Sequence, residues 1–293
     1  MKPKTKIAFF GGEPLGVPVL RKLYQAGITP NLIVCSPDRK AGRGLSVTKP
    51  PVKEWAEKHD VEVFQPESYK DESVRQKLAE TEWDLFVVVA YNFILPKWLL
   101  EIPIRGSLNV HPSLLPELRG PSPIRTAILE NNPDAIGVTV MLLDEKMDTG
   151  PILEQEAYLP EQWPIEGTEL DEKLADIGGS LLAEVIPAWL DDALSPQEQD
   201  HDSATYTKVF NKGENELDLD PLHLPKGDDA VAILSKIYAW QGIGDTFFMH
   251  GEKRVKVKTA SLSEDGLLDI ETVVPEGKKE MTFQSFLQSL SSK

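Results

Sequence analysis

Short apolar runs alternate with longer amphipathic stretches through the first two thirds of the chain. The apolar runs are rich in β-branched and aromatic residues, which favours strands, and they read KIAFFG, NLIVCS, VEVFQ, DLFVVVA and SLNVH. The stretches between them have the periodicity of surface helices and lie at 17–26, 51–58, 73–81 and 96–101. This alternation predicts β-α-β units that share a parallel sheet.

The pattern continues to residue 190 and then changes. It predicts a helix at 122–130, strands at GVTVMLL and PILEQEAYL, and a long helix at 168–190. The polar segment 191–205 predicts a linker. Beyond it, the strand candidates TFFMH, RVKVKTA and LLDIETVV and a closing helix at 282–290 predict a small β-barrel or sandwich. We therefore expect an α/β domain over 1–190, a linker over 191–205 and a β-rich domain over 206–293.

The composition is that of an ordinary globular chain. With 293 residues, 41% of them apolar, the chain can bury one large core or two moderate ones. No stretch approaches the roughly 20 apolar residues that a membrane helix needs, so we expect a cytoplasmic protein that does not engage a membrane. The single cysteine, Cys35, lies in the strand candidate NLIVCS and is expected to be a buried thiol.

The charge distribution is uneven. A net charge of -16 repels nucleic acid on average, so a polyanion would have to bind at a local basic patch. One such patch exists at 37–53, where five basic residues face one acid, Asp38; the basic residues are Arg39, Lys40, Arg43, Lys49 and Lys53. A basic loop rich in glycine and proline is also compatible with a simple solvated connection.

Three polar residues near predicted strand ends are candidates for chemistry. Asn109 and His111 are two positions apart on SLNVH, so on a strand their side chains leave the same face. Asp148 lies in a turn-rich loop that follows another apolar run. In doubly wound sheets ligands bind beyond the carboxyl ends of the strands, which is where these residues fall. The alternative is that His111 is a packed, hydrogen-bonded histidine.

Together the three residues suit acyl transfer to an amine. The carboxamide of Asn109 can donate to a carbonyl oxygen as it becomes an oxyanion, a contribution of about 3 kcal/mol per donor. His111 can supply a second donor or protonate the leaving nitrogen, and Asp148 would orient the imidazole.

Other site types have weaker support. GGEPLG at 11–16 lacks the glycine spacing of a dinucleotide fingerprint, and Ser113 lacks the G-x-S-x-G context of a hydrolase nucleophile. No group of histidine, cysteine and carboxylate residues has metal-ligand spacing, so no metal is expected.

The segment LNVHPSLLPELRGPSPI, together with the aspartate of DEKMDTGPIL, resembles the formyltransferases that use 10-formyltetrahydrofolate. The resemblance implies a Rossmann-like catalytic domain, a C-terminal OB-like barrel and Asn109, His111 and Asp148 as catalytic residues. It also implies folate contacts by the stretch Ser113, Leu114, Leu115 and Pro116. The backbone of Phe93 to Leu95, which includes Ile94, and of Leu143 to Met147, which includes Asp144, would flank the pterin.

The Asn-His-Asp set does not identify the acceptor, because members of this family share the set but formylate different amines. The basic segment 37–53, SATYTK at 203–208 and PEGKKEMTFQSFL near the end resemble the members that formylate initiator methionyl-tRNA for translation initiation. The resemblance implies tRNA contacts by Arg43, Lys40 and Lys49, a tRNA-binding C-terminal domain and a monomer. A nucleotide-linked sugar amine as acceptor, hydrolysis of the folate, and a binding module without catalysis remain alternatives.

Two departures from the family pattern stand out. Asn92 occupies a position where many members have glycine, which either adds a polar contact or alters a turn near the folate. The last domain is short and slightly acidic, and its basic residues concentrate in a stripe that consists of Lys253, Arg254, Lys256 and Lys258.

Overall fold

A seven-stranded sheet organises the N-terminal part of the chain. The computed structural model describes residues 5–41, 46–211 and 213–291. The sheet consists of β1 (Ile7–Gly11), β2 (Leu32–Val34), β5 (Glu62–Phe64), β6 (Leu85–Val89), β7 (Ser107–His111), β8 (Gly137–Leu142) and β9 (Ile152–Ala157). Its strand order is β5-β2-β1-β6-β7-β8-β9. Between β2 and β5 the chain forms a separate hairpin of β3 (Arg39–Ala41) and β4 (Ser46–Thr48).

Six strands of this sheet run in the same direction, and β8 runs opposite to them. β1 pairs in parallel with β2 and β6, β2 with β5 and β6 with β7, whereas β8 pairs antiparallel with both β7 and β9. Every residue of β1 and β6 is buried, as expected of central strands that helices cover on both faces. The predicted α/β fold is confirmed, and the predicted parallel sheet gains an antiparallel edge.

The helices fall close to their predicted positions, except α7 (Asp228–Trp240), which was not predicted. They are α1 (Gly16–Gln25), α2 (Pro51–Lys58), α3 (Glu72–Ala79), α4 (Lys97–Leu100), α5 (Pro123–Leu129), α6 (Gly167–Leu190), α7 (Asp228–Trp240) and α8 (Phe283–Ser291). Pro51 is the first residue of α2, a position whose backbone N–H has no acceptor within the helix, so the N–H that proline lacks is not needed there. None of the helices within the described ranges is both long and apolar enough to cross a bilayer.

The C-terminal strands form a second sheet, β10 (Phe247–His250), β11 (Lys253–Leu262), β12 (Leu268–Pro275) and β13 (Met281–Thr282). They pair antiparallel in sequence order. The apolar faces of α7 and α8 pack on this sheet around Leu234, Phe248 and Phe286.

The chain divides into two compact units that interleave along the sequence. The first contains residues up to Gly120, Gly137–Tyr158 and Asp171–Tyr206, and the second contains Pro121–Ile136, Leu159–Leu170 and the chain from Thr207 onward. The segment predicted as a linker therefore lies within the first unit. The division into functional domains at residues 190 and 206 stays a prediction.

Candidate active site

Asn109 and His111 lie at the carboxyl end of β7, next to the carboxyl end of its parallel neighbour β6. Asn109 pairs in register with Val88 of β6, and His111 ends the strand opposite Thr139 of β8. His111 is only 4% exposed, whereas Asn109 is half-buried. The alternation of a strand places both side chains on the same face, so the predicted pairing of these two residues agrees with the strand geometry.

The imidazole of His111 is held from two sides. Its Nε2 atom lies 3.0 Å from the carbonyl oxygen of Leu118, and its Nδ1 atom lies 3.7 Å from a carboxylate oxygen of Asp148. Because a carbonyl oxygen only accepts, Nε2 must carry a proton and donate it. Nδ1 then faces the carboxylate of Asp148, so both ring nitrogens lie next to a protein group. These contacts fix the orientation of the ring.

Asp148 lies in the loop between β8 and β9, where its backbone is constrained. Its φ angle is +54°, a left-handed conformation that aspartate tolerates better than most residues. The other carboxylate oxygen, Oδ2, accepts a hydrogen bond of 2.7 Å from the backbone N–H of Gly120. The structure thus brings together His111 and Asp148, which lie far apart in the sequence.

The loop that carries Asp148 is shaped by its own residues. The Asp144 carboxylate accepts hydrogen bonds from the backbone of Lys146 and the hydroxyl of Thr149. A Cβ atom at Gly150 would lie 1.9 Å from the carbonyl oxygen of Leu142, so only glycine allows the chain to close on the end of β8 here. The exposed Asp144 therefore stabilises the turn of this loop through its hydrogen bonds.

The stretch Ser113–Pro116 forms a tight turn after β7. The Ser113 hydroxyl is buried and donates to the carbonyl of Glu117. The backbone N–H of Leu115 donates to the Thr139 hydroxyl, and its carbonyl accepts from Gln155. Leu114 and Pro116 are half-buried. A folate contact by this turn would therefore come from its backbone and the partly exposed side chains, since the Ser113 hydroxyl is already engaged.

The segment after β6 lies next to the Asp148 loop. Lys97 forms an ion pair with Glu145, and Leu95 and Leu143 pack against the same apolar cluster. Phe93 packs edge-on against Tyr69, while Ile94 is 83% exposed. The two segments predicted to flank a pterin are therefore neighbours.

Asn92 adds a polar contact of its own. Its side-chain amide donates to the Glu13 carboxylate, which joins the segment after β6 to the turn after β1. Of the two effects that the sequence left open for this residue, the structure has the added contact.

The basic residues of 37–53 have different environments. Arg43 lies outside the described residues, and of Lys40 only the backbone is described, within β3. Lys49 bonds both carboxylate oxygens of Glu57, which raises the pKa of Lys49. Lys53 bonds the carboxylate of Asp38 and lowers its pKa, helped by Gln65. Two of these positive charges are therefore balanced by acidic partners.

Two residues of the site were not singled out by sequence reasoning. Arg119 is 1% exposed, and its guanidinium donates to the side-chain oxygen of Gln199. The Gln199 amide donates to the backbone carbonyls of Asp148 and Gly150. Arg119 belongs to the family-like motif, but nothing in the polar segment 191–205 distinguishes Gln199 as a partner.

Other reactive groups in the described residues are inert or dispersed. Burial raises the pKa of the Cys35 thiol to about 12, so the thiol stays protonated at neutral pH. The expectation of a buried cysteine is confirmed. Within the described ranges, no group of three or more histidine, cysteine, aspartate and glutamate residues is placed to hold a metal ion.

Comparison with known proteins places this chain in a family. The profile of the family described as formyl transferase matches residues 5–186. The chain belongs to the formyl transferase family, a family of enzymes. It is 34% identical to a methionyl-tRNA formyltransferase of Geobacillus sp. (strain WCH70) over 97% of this chain and 94% of that protein. It is 41% identical to the methionyl-tRNA formyltransferase of Bacillus licheniformis over 73% of this chain and 67% of that protein.

Solved structures share the fold. A sugar N-formyltransferase from a Shewanella species aligns with a TM-score of 0.64 over 89% of this chain and 99% of that chain, at 18% identity. An identity this low supports the fold and leaves the acceptor to other observations.

Proposed function

We propose that the protein transfers a formyl group from 10-formyltetrahydrofolate to the α-amine of initiator methionyl-tRNA. The observation that carries this proposal is the similarity to methionyl-tRNA formyltransferases over nearly the whole chain, combined with the grouping of His111 and Asp148 beside Asn109. Relatives that share only the fold are less similar in sequence.

The residues divide the chemistry between them. As the amine nitrogen bonds to the formyl carbon, negative charge develops on the formyl oxygen. The Asn109 carboxamide would donate to that oxygen, since none of the hydrogen bonds that fix His111 and Asp148 involves it. When the bond from the formyl carbon to N10 breaks, the attacking amine loses a proton and the leaving nitrogen gains one, and His111 would relay it. Asp148 would stabilise the imidazolium that forms while the ring holds that proton.

The surroundings of the site fit a folate. A pterin is a flat ring system with polar edges, and it buries apolar surface when it binds. Ile94 and Met147 are 83% and 57% exposed, on the two neighbouring segments expected to flank the ring. Backbone groups of the same segments, including those near Phe93, Leu95 and Asp144, can meet the polar edge. Binding would therefore cover two large side chains that are otherwise exposed to water.

The β3–β4 hairpin and the residues next to it would contact the tRNA. Arg43, together with Lys40 and Lys49, would contact the acceptor end, and Lys53 and Asp38 fix the base of the hairpin. The exposed Lys49 is balanced by Glu57 and would have to exchange that partner for a phosphate. The basic residues of the hairpin would then act against the repulsion of a strongly acidic protein.

The C-terminal sheet would serve as a second tRNA contact, and we assign it to an OB-like barrel on the basis of its antiparallel strands. Lys256 and Lys258 on β11 both pair with Asp245, and Arg254 stacks on Phe247. The basic stripe is thus partly neutralised by its own neighbours. We expect the stripe to add less to binding than its charge count suggests.

Purified protein incubated with 10-formyltetrahydrofolate and charged initiator tRNA tests the proposal. Formylmethionyl-tRNA is the expected product. Release of free formate alone would identify a hydrolase, and formylation of a nucleotide-linked amino sugar but not of the tRNA would identify the sugar branch. Arg43→Ala should raise the KM for tRNA while the KM for the folate stays unchanged, and equal changes in both would remove the hairpin from the tRNA site.

A further inference from the structure

We infer that Arg119 and Gln199 are positioning residues that hold His111 and Asp148 in their reactive arrangement. The inference rests on the proposed function for its kinetic consequence and on the hydrogen bonds of the described residues for its geometry. Neither side chain is exposed enough to contact a substrate, since Arg119 is 1% exposed and Gln199 is 5% exposed.

Residues 118–120 contact both members of the candidate pair. The carbonyl of Leu118 accepts from Nε2 of His111, and the N–H of Gly120 donates to Oδ2 of Asp148. Arg119 lies between these two contacts. Any shift of its backbone therefore moves the partner of the histidine and the partner of the aspartate together.

The backbone around Arg119 adopts a conformation that neighbouring residues must stabilise. Leu118 has a φ angle of +58° and Gly120 one of +118°, and Asp148 on the facing loop has +54°. A left-handed conformation costs a residue with a side chain roughly 1 kcal/mol or more, and it persists only where the surroundings impose it. The contacts of Leu118 and Arg119 with the 199–206 segment supply that constraint.

Gln199 joins the two sides of the site. Its side-chain oxygen accepts from Nε and a terminal nitrogen of Arg119, at 3.1 and 2.7 Å. Its side-chain nitrogen donates to the carbonyls of Asp148 and Gly150, at 3.0 and 2.7 Å. One amide thus uses all of its hydrogen-bonding groups to connect the 118–120 segment with the Asp148 loop.

The remaining contacts of Arg119 belong to the same segment. A terminal nitrogen lies 2.9 Å from Nδ1 of His201, and another lies 3.4 Å from the Tyr206 hydroxyl. The backbone N–H of Arg119 donates to the carbonyl of Thr205, and the Leu118 N–H donates to the Thr205 hydroxyl. The buried charge is therefore satisfied by neutral acceptors among these contacts, an arrangement that depends on a fixed 199–206 segment.

The decisive variant is Gln199→Glu, because it separates two roles of Gln199. A glutamate still accepts from Arg119, and with a charge, so the buried guanidinium remains paired. It cannot donate to the carbonyls of Asp148 and Gly150. Gln197→Glu is the matched control, since it makes the same change two residues away at an exposed side chain.

If the inference is correct, Gln199→Glu lowers kcat on the order of 100-fold with little change in the KM for the folate, as expected when reacting groups are displaced by about 1 Å. The melting temperature should stay close to that of Gln197→Glu. Hydrogen exchange of the Gly120 amide should accelerate by about tenfold, because the Asp148 carboxylate that protects this amide becomes mobile. Wild-type kcat and unchanged Gly120 exchange in Gln199→Glu would overturn it.

Arg119→Lys gives a second answer should Gln199→Glu not fold. A lysine keeps the charge but cannot bond Gln199, His201 and Tyr206 at once. A reduced kcat in a folded Arg119→Lys protein supports the inference, and a wild-type kcat overturns it. The exchange measurement needs no acceptor, so it stands even if wild-type protein proves not to formylate methionyl-tRNA, which would overturn the proposed function instead.

Discussion

At the scale of single residues, the candidate site depends on which hydrogen-bonding groups remain available. The ring nitrogens of His111 face the Leu118 carbonyl and the Asp148 carboxylate, so the ring has one orientation. Asn109 lies outside these contacts on the same strand face. The site therefore contains one side chain whose orientation its neighbours fix, His111, and one that lies outside these contacts, Asn109.

Asp148→Asn should lower kcat by about 100-fold or more, because the amide keeps the shape of the side chain but removes the charge opposite Nδ1 of His111. Steady-state formylation of methionyl-tRNA measures the effect. Asp60→Asn is a matched control, since Asp60 is also in the left-handed conformation, with φ of +55°, and is exposed. Equal activity of Asp148→Asn and wild type would show that the charge is not used.

Asn109→Ala should lower kcat on the order of 100-fold to 1,000-fold, as removal of one oxyanion donor does in other acyl transfers. The KM for the folate should change much less, because the contact strengthens only as charge develops on the oxygen. Asn211→Ala, at an exposed asparagine, controls for general effects. A change confined to KM would instead make Asn109 a binding residue.

At the scale of elements, the sequence predicted the strands and helices of the seven-stranded sheet well but missed the β3–β4 hairpin and helix α7. Helix α2 has the predicted bounds, because a proline at its start and an apolar face both mark it. The sequence predicts a loop where β3 and β4 lie, because strands of three residues, one of which contains Arg39 and Lys40, show no apolar alternation.

Helix α7 was not predicted, because short apolar runs such as VAIL fit a strand as well as a buried helix. Tertiary contacts decide such segments, and the packing of α7 on the C-terminal sheet favours the helix. The residues of the candidate site were likewise predictable only where they lie close together in the sequence. Asn109 and His111 are neighbours on one strand, whereas Arg119 and Gln199 are 80 positions apart, and no local pattern joins them.

Lys53→Met tests the hairpin as an element. Lys53 fixes Asp38 at the start of β3, and its side chain is only 16% exposed. Without the ion pair the hairpin loses its support, so we expect the KM for methionyl-tRNA to rise by about tenfold, equivalent to about 1.4 kcal/mol, with the KM for the folate unchanged. Lys58→Met, an exposed position on the same helix, is the control. Parallel changes in both KM values would assign Lys53 to general stability.

At the scale of the whole molecule, burial of acidic groups sets a limit on alkaline stability. Burial raises the pKa of Cys35 from 9.0 to about 12, and burial also raises the pKa of Tyr91 from 10.0 to about 12. Tyr69, which bonds the Tyr91 hydroxyl at 2.6 Å, has its pKa raised further by the same burial. At a pH between its unfolded and its folded pKa, each of these groups keeps its proton in the folded chain and loses it on unfolding.

The free energy of unfolding should therefore be constant with respect to these groups below pH 9 and should fall between pH 9 and 12. Each such group contributes a loss of about 1.4 kcal/mol per pH unit within its own window. Urea unfolding at successive pH values measures the slope. Cys35→Ala should make the slope shallower from pH 9 upward, and an unchanged slope would show that Cys35 is not protected in the folded protein.

The position of Gln199 has a consequence for dividing the gene. A fragment that stops at residue 190, where the long helix α6 ends, contains Asn109, His111 and Asp148 but lacks the amide that ties the two loops together. The family profile, which matches residues 5–186, also ends before Gln199. A chimaera that joins this chain to the C-terminal part of a relative should keep the site intact only if the junction lies beyond Tyr206, because the residues that contact Arg119 then stay with it.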